Sequence, residues 1–299
     1  MALLKLDGKV AVVSGGGTGI GRAIALGLAR EGSDVLVFSR TIDEVETTVD
    51  EINLLGRRGL ALRGDVTSHI DVARIMRRAI AEFGHVDIMV NNAGIQGPIG
   101  LLASNEISGW ISTVHTHLIG TFLCCKAILP HMIARRQGKI INLSGGGAAT
   151  SRPRFSAYAT SKAGVVRLTE VLADEVKEFN IQVNAIAPGM VNTRLMDDIL
   201  AAGKMAGAQE IRDAELCKET GGTSPDKAAN LVVFLSSSDG DCITGRLISA
   251  VWDDWSEIAR RCSFTTKSGA LTLRRIDQHT LGKINEDWLL FEKGVNDLE

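Results

Sequence analysis

Tyr158 is the only tyrosine among the 299 residues, and Lys162 follows it four positions later. If this stretch is helical, the two side chains share a face, because residues i and i+4 are neighbours on a helix. A cation beside a phenol favours the phenolate, since the opposite charge stabilises the ionised form. The spacing therefore indicates either a proton donor tuned toward neutral pH or an ordinary pair of surface side chains.

A glycine-rich segment, SGGGTGIG, follows a Val-rich predicted strand at Lys9–Ser14 and precedes an apolar helical pattern at 20–30. Gly15, Gly19 and Gly21 give it the spacing GxxxGxG. Glycines at such a junction allow a tight turn and let backbone N–H groups approach a pyrophosphate at the positive end of a helix. The segment therefore predicts a dinucleotide site, and a merely flexible turn is the alternative.

The end of the second predicted strand, Asp34–Arg40, bears on the choice of cofactor. A carboxylate at this place binds the ribose of NAD in dinucleotide-binding folds. This chain instead has Ser39 and Arg40, so nothing repels a 2′-phosphate, and a guanidinium is present that can pair with one through two hydrogen bonds. We expect NADP(H) to be preferred, with NAD(H) possible. The alternative is that Arg40 is a solvated surface residue.

Strands and helices alternate along the chain and must position these groups. Further strands are predicted at 60–66, 86–91, 139–143 and 182–187, and helices at 41–55, 68–83, 105–136 (disturbed at Pro130) and 156–179. This alternation predicts an α/β fold, a Rossmann-like doubly wound parallel sheet with helices on both faces, in a single domain.

The bulk composition excludes several classes of protein. The 33 basic and 35 acidic residues give a net charge of −2, which offers no basic excess for nucleic acid. No apolar run was expected to reach the roughly 20 residues of a membrane helix. The five cysteines form no CxxC pair and the histidines no zinc-binding pattern, so we expect reduced thiols, a cytoplasmic protein and no metal.

Four motifs occur in a fixed order: the glycine-rich loop, Asn91-Asn92-Ala93-Gly94 (NNAG), Tyr158-x-x-x-Lys162, and Pro188-Gly189 followed by Thr193. With these motifs, residues 6–250 resemble the short-chain dehydrogenase/reductase family. The resemblance implies an enzyme that interconverts a carbonyl and a secondary alcohol by hydride transfer, acting on ketones, 3-oxoacyl thioesters or sugars. It also implies a homodimer or homotetramer.

The resemblance further implies a role for individual residues. Tyr158 would be the general acid and base, and Lys162 would bind the nicotinamide ribose and lower the pKa of the phenol. Asn91 would line the adenosine side. The cofactor would contact Gly15, Gly17, Thr18, Gly19, Ile20, Gly21, Ser39, Arg40, Asp65, Val66, Asn92, Ala93, Gly94, Tyr158, Lys162, Pro188, Gly189, Val191 and Thr193.

Two positions depart from the family pattern. His117 stands where the family has a catalytic asparagine, and a histidine can also donate and accept a proton. Gly145 stands thirteen residues before Tyr158, where the family has a serine that orients the substrate. We expect Ser144 to take over that role, with Ser151 as a substitute. His117 as a space-filling core residue is the alternative.

Two further predictions concern the C-terminal region and the arginines around the pocket. Residues 1–250 are expected to form the dinucleotide-binding and catalytic domain, and residues 251–299 an extension that packs on the core or on a neighbouring subunit. Arg152, Arg154 and Arg194 are expected either to bind an anionic substrate group or to be solvated.

A dinucleotide-binding sensor or scaffold with weak or no turnover is the alternative function of the protein.

Overall fold

Seven parallel strands form one sheet at the centre of the protein. The computed structural model describes residues 4–261, 269–275 and 277. The strands are β1 (Val10–Ser14), β2 (Asp34–Ser39), β3 (Gly59–Arg63), β4 (Ile88–Asn91), β5 (Gly138–Leu143), β6 (Ile181–Ala187) and β7 (Leu247–Ser249). Their order is β3-β2-β1-β4-β5-β6-β7. The order reverses between β1 and β4, and such a reversal opens a crevice at the carboxyl ends of the strands. The predicted fold class is confirmed.

The helices lie on both faces of this sheet. They are α1 (Gly19–Arg30), α2 (Ile42–Leu54), α3 (His69–Phe83), α4 (Ile107–Val114), α5 (Gly120–Arg135), α6 (Ser156–Val176), α7 (Arg194–Ala202), α8 (Ala208–Thr220), α9 (Pro225–Ser236) and α10 (Trp255–Arg260). Short 3₁₀ turns occupy Leu102–Ser104, Lys177–Phe179, Gly203–Met205 and Ser238–Gly240.

The long helix predicted at 105–136 is interrupted at a different place from the one expected. A π-helical turn at His115–Ile119 separates α4 from α5, whereas α5 continues through Pro130 to Arg135. Such turns insert an extra residue into a helix and change which side chains face inward. Here the turn contains His117, whose side chain is buried.

Alternating residues of the strands supply two apolar cores. Ala11 and Val13 of β1 face one core, together with residues of α1 and α9. Val10 and Val12 face the other, together with residues of α3, α5 and α6. A parallel sheet that is covered on both faces needs apolar residues on both sides of each strand, which explains the nearly continuous Val-rich runs.

The described part of the extension packs on the edge of the sheet. Leu247 of β7 donates its amide hydrogen to the carbonyl of Leu271 at 2.8 Å. Leu273 donates its amide hydrogen to Glu170 Oε1 of α6 at 2.6 Å, and its carbonyl accepts from Arg167 Nη2 at 2.7 Å. Segment 269–275 therefore covers β7 and one face of α6. The apolar cluster at 288–291 lies outside the described residues.

The structure bears on two expectations from composition, and it corrects the second of them. Ile107–Arg135 has the length and hydropathy of a helix that could cross a membrane, a test that core helices also pass. It contains polar Thr and His residues, so no uninterrupted apolar run marks it in the sequence. Cys124, Cys125 and Cys217 are free thiols, whereas Cys242 is disulfide-bonded. The expectation of reduced thiols therefore fails at Cys242.

Glu170→Gln is expected to loosen segment 269–275. The buried carboxylate of Glu170 accepts from Leu273 N and lies 3.6 Å from Arg274, and hydrogen bonds to charged groups contribute about 1.5–3 kcal/mol. Amide hydrogen exchange at Leu273 should accelerate about tenfold. The exposed Glu175→Gln on the same helix is the control, and unchanged exchange in Glu170→Gln would contradict the prediction.

Candidate active site

The residues that the sequence analysis assigned to a site come together in one cleft. Its volume is about 1230 Å³, and it lies at the carboxyl ends of the strands. It is lined by Gly15, Gly17, Thr18, Gly19, Ile20, Gly21, Ser39, Arg40, Asp65, Val66, Asn92, Ala93, Gly94, His117, Ser144, Tyr158, Lys162, Pro188, Gly189, Val191 and Thr193. The individual roles of these residues remain predictions.

The glycine-rich loop is shaped to admit a phosphate group. Gly15 has a φ of +62° and Gly19 a φ of +53°, the left-handed region that favours glycine. A Cβ at Gly21 would stand 2.2 Å from the Gly15 carbonyl oxygen, so no side chain fits there. The Thr18 side chain does not cap α1, which leaves the first N–H groups of this helix available to an anion. A dinucleotide pyrophosphate fits this loop.

The NNAG segment ties the loop after β4 to the glycine-rich loop. Asn92 Nδ2 donates to the carbonyl oxygens of Ser14 and Gly15 at 3.1 and 2.9 Å. Asn91 instead points into the interior, where its Nδ2 donates to Asn142 Oδ1 at 2.8 Å. The expected adenosine contact of the Asn91 side chain is therefore corrected, because consecutive residues at the end of a strand face opposite sides of the sheet.

The far end of the cleft contains Arg40 and Asp65. Ser39 Oγ donates to the Thr41 carbonyl at 2.9 Å, which fixes the turn before α2 and leaves Arg40 exposed. Within the described ranges, no carboxylate forms an ion pair with Arg40. The nearby Glu44 pairs with Arg194 at 2.6 Å, so its negative charge is balanced. This end therefore offers a cation that is free to meet a phosphate.

Tyr158 and Lys162 lie in the first turns of α6 and share a face, as their spacing predicts. Lys162 Nζ donates to the Leu143 carbonyl at 2.7 Å and lies 5.5 Å from the centre of the phenol ring. Burial lowers the pKa of Lys162 to about 7. Burial raises the pKa of Tyr158, and the charge of Arg152 partly opposes this rise. No local pattern predicts Leu143 as the partner of this lysine, because the two residues lie 19 positions apart.

His117 packs against the phenol as a neutral imidazole. Its ring centre lies 5.2 Å from that of Tyr158, and the two planes are nearly perpendicular. His117 Nε2 lies 2.7 Å from the Ile95 carbonyl oxygen and 3.3 Å from the Ile95 amide nitrogen. The shorter contact is to an acceptor, which assigns the ring hydrogen to Nε2. Nδ1 is buried, and within the described part of the chain it has no hydrogen-bond partner. Burial and, to a smaller extent, the charge of Lys162 lower the pKa of His117 to about 3.

The backbone of Gly145 faces the phenol oxygen. A Cβ at this position would stand 2.7 Å from the Tyr158 hydroxyl. Position 145 therefore lies beside the phenol oxygen, as the motif spacing predicts, but its glycine has no hydroxyl to offer. Ser144 Oγ is buried and has no hydrogen-bond partner among the residues that the structure describes. Ser144 therefore lines the cleft without bonding to Tyr158, and its expected role stays a prediction.

The arginines of the pocket have partners within the protein. Arg152 Nε and Nη2 donate to Glu210 Oε1 and Oε2 at 2.7 and 2.6 Å. Arg154 Nη1 donates to the Met205 carbonyl at 3.1 Å. Arg194 pairs with Glu44, as described above. Each of the three therefore has a partner among the described residues, and the anion-binding role of these side chains stays a prediction. Glu210 had no local signal, because it lies 58 residues from Arg152.

The family of the protein follows from comparison with known sequences. The family model described as short chain dehydrogenase matches residues 9–203. The chain belongs to this family, so the resemblance seen in the motifs is confirmed. The protein is a dehydrogenase or reductase that interconverts a carbonyl and an alcohol with a nicotinamide dinucleotide, NAD(H) or NADP(H).

Relatives with different substrates show similar levels of identity. The chain is 35% identical over 253 residues to 2-dehydro-3-deoxy-D-gluconate 5-dehydrogenase of Escherichia coli, covering 83% of this chain and 96% of the relative. It is 34% identical over 241 residues to a 3-oxoacyl-acyl-carrier-protein reductase of Staphylococcus epidermidis, covering 80% and 96%. The crystal structure of NAD⁺-bound xylitol dehydrogenase matches with a TM-score of 0.77 at 27% identity, covering 82% and 98%.

His117→Asn is expected to reduce the loss of stability in acid. The unfolded chain takes up a proton at this site below about pH 6.5, whereas the folded protein does so only near pH 3, so stability falls as the pH drops through this interval. Between about pH 7 and about pH 4.5 the wild type should lose about 2–3 kcal/mol more of its unfolding free energy than the variant. Denaturant unfolding at both pH values measures the difference.

The control for this experiment is His115→Asn, because His115 is exposed and lies two residues from His117. This control should keep the pH dependence of the wild type. An equal loss of stability in wild type and His117→Asn would show that His117 is protonated normally in the folded protein.

Proposed function

We propose that the protein is an NADP(H)-dependent reductase of ketones or related carbonyl compounds, with Tyr158 as its general acid. The observation that carries this proposal is the pair of Tyr158, which is partly buried, and Lys162, which is buried. Both line the same cleft as the phosphate-shaped glycine-rich loop. A bound nicotinamide dinucleotide supplies or accepts the hydride.

The residues around the phenol would handle the proton. During reduction the Tyr158 hydroxyl would give its proton to the substrate oxygen as an alkoxide develops there. A pKa of about 7 lets Lys162 hold or release a proton near neutral pH, which is the condition for efficient proton transfer. Its ammonium form would also stabilise the phenolate left on Tyr158.

A second hydrogen-bond donor to the substrate oxygen is proposed to be Ser144. Support comes from its Oγ, which is buried, lines the cleft and has no partner. A buried polar atom without a partner is costly, and a substrate oxygen would remove that cost. His117 would act as a neutral group beside Tyr158, because its depressed pKa keeps it uncharged.

The preference for NADP(H) rests on Arg40. Its guanidinium is exposed at the rim of the cleft, and the neighbouring carboxylate of Glu44 is neutralised by Arg194. A 2′-phosphate at this place would meet one uncompensated positive charge, and Arg–phosphate pairs are among the stronger polar contacts.

The protein is also proposed to form a homodimer or homotetramer. Support comes from exposed apolar side chains on α4, α5 and α6, namely Ile107, Ile111, Phe122 and Val171. Exposed apolar residues on helices commonly mark protein–protein contacts.

The substrate class is proposed to be small ketones, sugars or 3-oxoacyl compounds, which agrees with the names of the relatives.

Tyr158→Phe is expected to lower turnover of a carbonyl substrate by about 10²–10⁴-fold, because the variant lacks the proton that general acid catalysis needs. NADPH binding, measured by fluorescence, should stay close to wild type. A panel of ketones and sugars assayed with NADPH provides the substrate. If the wild type binds NADPH tightly but turns over no member of the panel in either direction, the sensor or scaffold reading gains support instead.

Arg40→Gln is expected to weaken NADPH binding by about 10-fold and to change NADH binding little, because a hydrogen-bonded charge pair contributes about 1.5–3 kcal/mol. Fluorescence titration with both cofactors gives the ratio. Arg30→Gln, which removes a charge from the end of α1 away from the cleft, is the control. Tighter binding of NADH than NADPH by the wild type would overturn the cofactor assignment.

A further inference from the structure

We propose that Arg152 is a positioning residue that favours the phenolate form of Tyr158, and that Glu210 limits the strength of this effect. The two side chains would act as an electrostatic pair that tunes the proton donor from the substrate side of the cleft. The inference rests on the proposed acid–base role of Tyr158 and assigns a task to two residues outside the Tyr-x-x-x-Lys motif.

The geometry places a fixed positive charge beside the phenol ring. The Arg152 guanidinium carbon lies 5.5 Å from the centre of the Tyr158 ring and 4.1 Å from that of Phe155. Two hydrogen bonds to the Glu210 carboxylate, at 2.7 and 2.6 Å, hold it there. The side chains of Arg152 and Glu210 are only 17% and 24% exposed, so solvent screens their charges less than it would at the surface.

The other charged or titratable groups around Tyr158 lie on different elements. Lys162 projects from α6, with Nζ 5.5 Å from the ring centre, and His117 approaches from the π-helical turn. Glu210 and Asp213 project from α8 and line the same cleft. His117 is neutral, and Lys162 loses its charge near pH 7 as its lowered pKa is passed.

Arg152 is therefore the cation near the phenol that keeps its charge at the alkaline pH where a phenol ionises, because a guanidinium stays protonated in proteins. Glu210 has the opposite charge and is hydrogen-bonded to Arg152. Removal of the Arg152 charge should therefore shift the titration midpoint of Tyr158 in one direction, and removal of the Glu210 charge should shift it in the other. A purely structural salt bridge would not produce this opposition.

The local sequence makes such a second cation useful in this chain. Gly145 faces the phenol oxygen without a hydroxyl, and Lys162 Nζ is bonded to the Leu143 carbonyl. The phenolate would thus have few donors close to its oxygen. A charge held beside the ring stabilises the anion without a direct hydrogen bond, because phenolate charge spreads over the ring.

The single tyrosine makes the test specific. Alkaline titration followed by the near-ultraviolet absorbance of phenolate reports Tyr158 alone, because no other tyrosine is present. Arg152→Gln should raise the titration midpoint by about one pH unit, and Glu210→Gln should lower it by a comparable amount. Arg152→Lys replaces a permanently charged group by one whose ordinary pKa, about 10.4, lies close to that of a phenol, so its midpoint should fall between those of the wild type and Arg152→Gln.

The controls are Arg154→Gln, on the same loop, and Glu215→Gln, on an exposed position of α8. Both should titrate like the wild type. Midpoints of Arg152→Gln and Glu210→Gln that move in the same direction, or that match those of the controls, would overturn the proposal. Circular dichroism at each pH identifies any variant that unfolds, and the tyrosine of an unfolded variant would titrate near pH 10. If Arg152→Gln unfolds, Arg152→Lys takes its place in the comparison with the wild type.

This titration is independent of turnover. It needs neither substrate nor cofactor, so it can succeed even if Tyr158→Phe leaves carbonyl reduction unchanged, in which case the proposed function fails alone. If Tyr158→Phe abolishes reduction while the midpoints of the Arg152 and Glu210 variants stay fixed, the function stands and the tuning pair is refuted.

Discussion

The site depends on the desolvation of an amine and a phenol that line the same cleft. Desolvation disfavours the charged form of each group, which lowers the pKa of Lys162 to about 7 and raises that of Tyr158. One carbonyl, that of Leu143, holds the amine in place. Other charged and polar groups lie around the phenol, namely the Arg152 guanidinium and the His117 ring.

The reversal of strand order explains why these groups meet a dinucleotide site. β1 and β4 lie side by side while their helices leave toward opposite faces, so the loops that follow them border one crevice. Asn92 closes the gap between these loops by bonding to Ser14 and Gly15. The same edge of the sheet then continues through β5 to α6, where the phenol lies.

The two departures from the family motifs have different physical consequences. At position 117 a larger ring replaces an asparagine, and the π-helical turn places it edge-on against Tyr158 with a nitrogen that has no partner. At position 145 a side chain is lost, and the phenol oxygen occupies the space that a Cβ would need. Both changes touch the same tyrosine, so the surroundings of this group differ from the family pattern on two sides.

The sequence alone determined the parallel fold, the glycine-rich loop and the shared face of Tyr158 and Lys162, because each depends on local spacing or on alternation along the chain. Two predictions from the sequence were wrong, namely the break of the long helix at Pro130 and the contribution of Asn91 to the cleft. The ion pair between Arg152 and Glu210 was not predicted at all. Those features were decided by tertiary structure. They depend on which distant segments pack together, and no local pattern of residues encodes a contact across 58 positions.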